Sequence, residues 1–122
     1  DKYNCIAWAC GDTLRWWQPG AKRHWPVPCD PFDFTTPNLL AALAAVGFST
    51  CAAGGHEVSF EKIAVYALPQ GEYTHAARQL PSGKWTSKLG KWELIEHDTP
   101  EDVAGGVYGT VFQFMKRPLA AG

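Results

Sequence analysis

The sequence has 122 residues, carries 11 Lys and Arg against 12 Asp and Glu, and is 46% hydrophobic. This composition argues against wholesale disorder, and the formal net charge of −1 argues against nucleic-acid binding through a basic face. The length fits one domain covering residues 1–122. No apolar run approaches the roughly 18 residues of a membrane span, so we expect neither a nucleic acid nor a membrane as a partner.

The chain is predicted to begin with a buried helix. Asn4 is a suitable N-cap for the apolar run Cys5–Cys10, and residues 14–17 resume the helical pattern after an interruption. Residues 18–37 carry many prolines, which predicts a long irregular loop. Long loops in small domains are often functional, so this loop is a candidate edge of a groove.

A second helix follows this loop. Thr36 is predicted to cap it, Pro37 to start it, residues 38–46 to fill it and Gly47 to end it. Its alanines and leucines predict that it packs against the first helix or against a sheet.

The second half of the chain is predicted to form strands. They are expected at Glu61–Leu68, Tyr73–Leu80, Trp85–Leu89 and Tyr108–Met115. Residues 81–84 predict a hairpin turn, and residues 99–106 a short capped helix. Lys84, Lys88 and Lys91 are expected along an exposed strand edge. Helices followed by an antiparallel meander predict an α+β fold with the N-terminal helices packed on the sheet.

The cysteines and tryptophans have mainly structural interpretations. No C-x-x-C pair occurs among the four cysteines, so neither a metal site nor a disulfide framework is expected, and no cofactor is indicated. We interpret the cysteines as reduced, with Cys10, Cys29 and Cys51 as packing residues. Of the six tryptophans, Trp8 is assigned to the core. Three others, Trp16, Trp17 and Trp25, fit either the core or the wall of a binding groove.

Cys5 and His75 are the candidate reactive pair. Cys5 lies at the predicted first turn of a helix, where free N–H groups and the helix dipole favour a thiolate and can stabilise an oxyanion. His75 lies in a predicted strand beside small residues, which leaves its imidazole room to reach a helix end. A cysteine and a histidine that meet in space are a usual nucleophile and base. From spacing alone, a filler cysteine and an ordinary strand histidine are the alternative interpretation.

Two runs resemble the papain-like cysteine hydrolases. Tyr3–Ala9 and Thr74–Gln79 are most similar to the bacterial branch that includes the NlpC-type cell-wall peptidases. Trp85–Gly90 looks like the Asn-Ser-Trp-Gly strand of papain, with Ser87 where the orienting asparagine stands. The same Tyr-Asn-Cys, Thr-His-Ala-Ala-Arg-Gln and Ser-Lys-Leu-Gly pattern also resembles an uncharacterised bacterial domain family.

The resemblance implies a papain-like, NlpC-type fold with Cys5 as nucleophile and His75 as general base, then acid. The third member of the triad stays open, because a hairpin closing symmetrically about Ser82 and Gly83 places Lys88 opposite Ala77 and turns Ser87 away from His75. The candidates for that third member are Ser87, Gln79, Glu93 and Glu96. The candidates for the oxyanion hole or for substrate binding are Asn4, Tyr3, Trp8 and Trp25.

The implied activity is hydrolysis of an amide bond through a thioester on Cys5, as a peptidase, amidase or deamidase. Acyl transfer of the transglutaminase type uses the same machinery. The implied substrates are a peptide, a peptidoglycan stem peptide or a protein amide. The domain is then part of a larger bacterial protein, in the cytoplasm or secreted as an effector, where it is paired with an inhibitor or immunity protein. The alternative is a catalytically idle papain-like module that binds its partner through a tryptophan-rich groove.

Overall fold

The structure is a computed structural model that describes residues 2–89 and 93–119. Its helices are α1 (Cys5–Ala9) and α2 (Thr36–Ala45). Its strands are β1 (Ser49–Cys51), β2 (Phe60–Ala67), β3 (Tyr73–Gln79), β4 (Trp85–Leu89), β5 (Glu93–His97) and β6 (Thr110–Pro118), with 3-10 turns at Pro100–Val103 and Gly106–Tyr108. The described strands form one six-stranded antiparallel sheet in the order β1-β6-β2-β3-β4-β5. The expected α+β class is therefore confirmed.

Helix α1 begins where the sequence predicts and ends earlier. The side chain of Asn4 caps it by accepting the N–H of Ala7, and the helix stops at Ala9. The predicted continuation over residues 14–17 is wrong. There the carboxylate of Asp12 accepts the backbone N–H groups of Leu14 and Arg15, an arrangement that competes with helix formation.

The loop and α2 follow the prediction closely. The chain is irregular between the two helices, and α2 begins at Thr36, with Thr35 rather than Thr36 as its N-cap. Pro37 lies in the first turn, where its missing N–H costs no helical hydrogen bond. The helix ends at Ala45, just before Gly47.

The strand prediction is confirmed in β2, β3, β4 and most of β6, but the expected simple meander is wrong. Strand β6 inserts between β1 and β2 and pairs with the whole length of β2, from Phe60 opposite Pro118 to Ala67 opposite Thr110. The prediction from sequence also missed β1 and β5, which are short. Tyr108, predicted to start the last strand, lies instead in the preceding 3-10 turn.

The two faces of the sheet carry different cores. Both helices contribute to the larger cluster, in which Ile6, Leu39 and Leu43 pack with Ile63 and other residues of one sheet face. The opposite face carries a smaller cluster of Ala64, Tyr66, Ala77 and Trp85, partly covered by residues around the first 3-10 turn. Because side chains alternate along a strand, neighbouring residues such as Ala76 and Ala77 face these two different clusters.

The prediction that Lys84, Lys88 and Lys91 lie along an exposed strand edge is wrong for Lys88. Strand β4 lies inside the sheet, between β3 and β5, and Lys88 is only 3% exposed. Lys84 is exposed near the turn, where its ammonium lies 3.7 Å from Glu96 and 3.6 Å from Asp98. Lys91 and Gly90, which belonged to the predicted edge and to the papain-like segment, lie outside the described residues.

Candidate active site

Cys5 opens helix α1 and lies against strand β3. The residue is half-buried and packs at the border of the larger core cluster. Burial raises the pKa of the Cys5 thiol, and this effect outweighs the backbone N–H of Ala76, which favours the thiolate. The net direction is therefore opposite to the depression expected from the helix terminus, and the resting group is a thiol.

His75 and Ser87 meet on the face opposite the helices. The Nε2 atom of His75 lies 2.9 Å from the hydroxyl oxygen of Ser87, and both side chains are fully buried. Arg78 pairs with Thr86 and Gln79 with Trp85, so continuing this register places Ser87 across from Ala77. The predicted register, which turned Ser87 away from His75, is wrong by one residue.

The hairpin turn explains this difference. The backbone N–H of Leu80 donates to the carbonyl of Lys84, which closes a three-residue loop. Gly83 adopts a φ of 92°, the left-handed conformation that such loops need at one position. Because the loop has three residues instead of two, every side chain of β4 changes face relative to the predicted pairing.

A second imidazole continues the contact beyond Ser87. The Nε2 atom of His97, on β5, lies 2.9 Å from the same hydroxyl oxygen. The Nδ1 atom of His97 lies 2.8 Å from the backbone carbonyl oxygen of Thr99. The ring of His97 therefore lies between the Ser87 hydroxyl and the backbone carbonyl of Thr99.

Aromatic rings fix the orientation of the His75 imidazole. Tyr108 stacks on it at a centroid distance of 4.4 Å and an angle of 15°, and Tyr66 lies 5.2 Å away. Burial, together with the charge of His97, lowers the pKa of His75 to about 4, so the ring is neutral near pH 7. Among the residues that the structure describes, no hydrogen-bond partner is found for its Nδ1 atom.

Cys5 and His75 approach the same stretch of β3 from different sides. The sulfur meets the backbone N–H of Ala76, the residue next to His75, while the imidazole projects toward the smaller cluster. Burial raises the pKa of Tyr108, the ring that stacks on His75, and a charge on Cys5 acts in the same direction, which also places the sulfur near this point. Within residues 2–89 and 93–119, Cys5 and His75 form no hydrogen bond with each other, since Nε2 of His75 meets Ser87 and Nδ1 has no partner.

Lys88 adds a buried cation to the Cys5 side of the sheet. Its ammonium lies 5.4 Å from the ring centre of Tyr3, and its positive charge acts to lower the pKa of the Cys5 thiol. This effect opposes the desolvation of the sulfur but does not exceed it. No sequence pattern marked Lys88 as buried, because a lysine in a short strand is usually exposed.

The residues predicted to line the oxyanion hole or to bind substrate make contacts within the protein itself. Asn4 donates from Nδ2 to the carbonyl of Trp17 and accepts the N–H groups of Ala7 and Trp17, so its amide joins α1 to the following loop. Tyr3 contacts the ring of Trp8 at 6.1 Å and lies under the ammonium of Lys88.

The burial of the tryptophans differs from the prediction. Trp17 and Trp85 are buried, whereas Trp8, which was assigned to the core, is half-buried with the guanidinium of Arg78 4.9 Å above its ring. Trp25 donates from Nε1 to the side chain of Asn38. It also stacks on Tyr73 at 6.1 Å, so it packs against the larger core cluster.

The remaining candidates for the third residue of the catalytic triad lie away from His75. Gln79 donates from Nε2 to the carbonyl of Gly54 at 2.7 Å. Glu93 and Glu96 are exposed on β5. Of the four candidates, Ser87 is therefore the one that the structure brings to the imidazole.

The other cysteines are free, and Cys10 is buried whereas Cys29 and Cys51 are half-buried. Burial raises the pKa of Cys10 to about 12, which makes its thiol unreactive. Within residues 2–89 and 93–119, no three His, Cys, Asp or Glu side chains group as metal ligands, and no helix is long and apolar enough to cross a membrane.

A family model described as a domain of unknown function, DUF7689, matches residues 1–116. The chain belongs to this family. No curated protein and no solved structure matches it. The family match covers every helix and strand described above except the last two residues of β6, so Cys5, His75, Ser87 and His97 all lie within the family's domain.

His97 is the site residue that sequence reasoning missed. Strand β5 was not predicted, because the run Glu93–His97 has few apolar residues and follows the preceding strand closely. A signal was present in the pattern, since Ile95 and His97 alternate with charged residues. Reading that alternation as a strand would have placed His97 beside β4.

Proposed function

We propose that this protein is a cysteine hydrolase of the papain-like kind that cleaves an amide bond, with Cys5 as nucleophile and His75 as general base. The observation that carries the proposal is the state of the His75 ring. Its Nε2 atom is held by Ser87, and its Nδ1 atom is unpartnered among the described residues. The next residue in the chain, Ala76, has the backbone N–H that the Cys5 sulfur meets. An imidazole fixed at one nitrogen and open at the other suits a base that receives a thiol proton.

The raised thiol pKa determines the order of proton transfer in this proposal. A neutral thiol and a neutral imidazole are the resting pair, so the proton moves as the sulfur attacks and not beforehand. The Sγ–H proton passes to Nδ1 of His75 while the Sγ–C bond to the substrate carbonyl forms. His75 then protonates the departing amine, and water cleaves the thioester to release the acid and regenerate the thiol.

The substrate classes follow from the resemblance to cell-wall peptidases in the sequence. A peptide, a peptidoglycan stem peptide or a protein side-chain amide fits the proposed reaction, and an amine in place of water would give acyl transfer. A bacterial host protein, with this domain as one part and an inhibitor as its partner, belongs to the same proposal.

Alkylation by iodoacetamide, followed residue by residue by mass spectrometry, tests the pair. We expect Cys5 to react faster than the half-buried Cys29 and Cys51. His75→Ala should slow Cys5 alone by on the order of a hundredfold, the usual contribution of a general base. Unchanged rates at Cys29 and Cys51 in the variant serve as the control for an intact fold. A Cys5 rate no higher than these two and insensitive to His75→Ala would contradict the proposal.

A second candidate function is a catalytically idle binding module. Two observations favour it: burial raises the pKa of Cys5, and His75 has no exposed surface. In that case the partner would bind at the tryptophan-rich loop between α1 and α2, where the guanidinium of Arg23 lies 5.7 Å from the ring centre of Trp16. The alkylation experiment separates the two functions, because an idle module gives slow Cys5 labelling with or without His75.

A further inference from the structure

The Ser87 hydroxyl lies between two imidazole rings. Its oxygen is 2.9 Å from Nε2 of His75 and 2.9 Å from Nε2 of His97. The chain of contacts ends at the carbonyl oxygen of Thr99, 2.8 Å from Nδ1 of His97. His75 and Ser87 are fully buried and His97 is 8% exposed, so water competes little for these hydrogen bonds.

The positions of the protons follow from the chemistry of the end group. A carbonyl oxygen can only accept, so Nδ1 of His97 carries a proton. In a neutral imidazole the other nitrogen, Nε2, then has a lone pair and accepts the single hydroxyl proton of Ser87. The Ser87 oxygen is left as an acceptor, and it receives the Nε2 proton of His75. The Nδ1 atom of His75 is thereby unprotonated.

We infer that His97 is a positioning residue that acts through Ser87 to hold the proton of His75 on Nε2 and so keeps Nδ1 as the proton acceptor. The unpartnered state of that Nδ1 atom agrees with this assignment. Stacking by Tyr108 opposes a half-turn of the ring about its Cβ–Cγ bond, which would put Cε1 in place of Nε2 at the Ser87 hydroxyl. The depressed pKa of His75, caused first by burial, keeps the ring in the neutral form to which the assignment applies.

Loss of the acceptor at position 97 has a defined consequence. The Ser87 hydroxyl would be free to donate to Nε2 of His75, and the imidazole proton would move to Nδ1. An Nδ1–H group cannot take the proton of Cys5. The proton positions stand independently of any reaction, whereas their effect on Cys5 rests on the proposed function.

The direct test is a long-range nitrogen–proton NMR correlation on the isotope-labelled full chain, in mildly alkaline buffer where imidazoles are neutral. In the wild type we expect the proton of His75 on Nε2 and that of His97 on Nδ1. His97→Leu should move the His75 proton to Nδ1. His97→Gln is the matched control, because its amide oxygen can accept the Ser87 proton and should preserve the wild-type pattern.

Alkylation of Cys5 gives the second readout. His97→Leu should lower the rate on the order of ten- to hundredfold, the usual cost of losing an outer partner that fixes an imidazole tautomer, and His97→Gln should restore it. A His75 proton on Nδ1 in the wild type overturns the inference even if no variant folds. An unchanged tautomer in a folded His97→Leu variant also overturns it. If the tautomers are as expected but Cys5 of the wild type is labelled slowly, the proposed hydrolase function is refuted and the positioning role of His97 stands.

Discussion

At the scale of single residues, burial determines the protonation of the candidate site. Helix α1 is only five residues long and its first thiol is desolvated, so the dipole and the N–H groups do not overcome the cost of a buried charge. The same effect acts on His75 in the opposite direction, because its charged form is the protonated one. Both groups are therefore neutral at rest.

His75 should make the protein less stable in mild acid. Its folded pKa of about 4 lies below the ordinary value of 6.5, so the unfolded chain binds the proton more tightly than the folded one. Stability is unaffected above pH 6.5, falls as the pH drops from 6.5 toward 4, and is lower by about 3 kcal/mol once both states are protonated. Urea unfolding across this range measures the fall.

His75→Gln is the control for this pH dependence, since its amide does not titrate and can still hydrogen-bond Ser87. Carboxylates titrate in both proteins, so the difference between the two curves isolates the imidazole. The variant should lose less stability than the wild type between pH 6.5 and 4. If the stability of the two proteins fell equally with pH, His75 would not be desolvated in the folded state.

At the scale of elements, the side chain of Asn4 holds α1 to the loop that follows it. Asn4→Ala removes the acceptor for the N–H of Ala7 and both contacts with the backbone of Trp17. We expect a loss of about 1–2 kcal/mol in urea unfolding, as is usual for an N-cap. Asn4→Asp keeps the acceptor oxygen and loses only the donor, so it should lose less. Equal losses in the two variants would show that capping is not what Asn4 contributes.

Elements were easier to predict than the contacts between them. The caps and apolar runs around Asn4 and Pro37 placed both helices, and the turn at residues 81–84 placed β3 and β4. The loop length in that turn was not predictable from residue types, and one residue decides whether Ser87 faces His75. The contact with His97 depended on a further strand pairing, between Trp85 and His97, that no local pattern specifies.

At the scale of the whole molecule, two core clusters position the two members of the proposed pair. Helix α1 places Cys5 at the border of the larger cluster, whereas His75 packs on Tyr66 of the smaller one. The larger cluster therefore fixes where α1 lies. The smaller cluster fixes the hydrogen bonds that run from His75 through Ser87 to His97. Strand β6 belongs to both, since Met115 packs in the larger cluster and Phe114 against the smaller.

This division predicts where stability is concentrated. Leu43 in α2 has no exposed surface and lies inside the larger cluster, whereas Leu40, one turn earlier, is half-buried at its border. Leu43→Ala should cost about 2–5 kcal/mol of unfolding free energy, because it removes buried methyl groups and leaves a cavity. Leu40→Ala makes the same chemical change on the same helix and should cost clearly less, since water can replace part of the lost contact. Urea midpoints of the two variants measure the difference, and equal shifts would place the main core elsewhere than between α2 and the sheet.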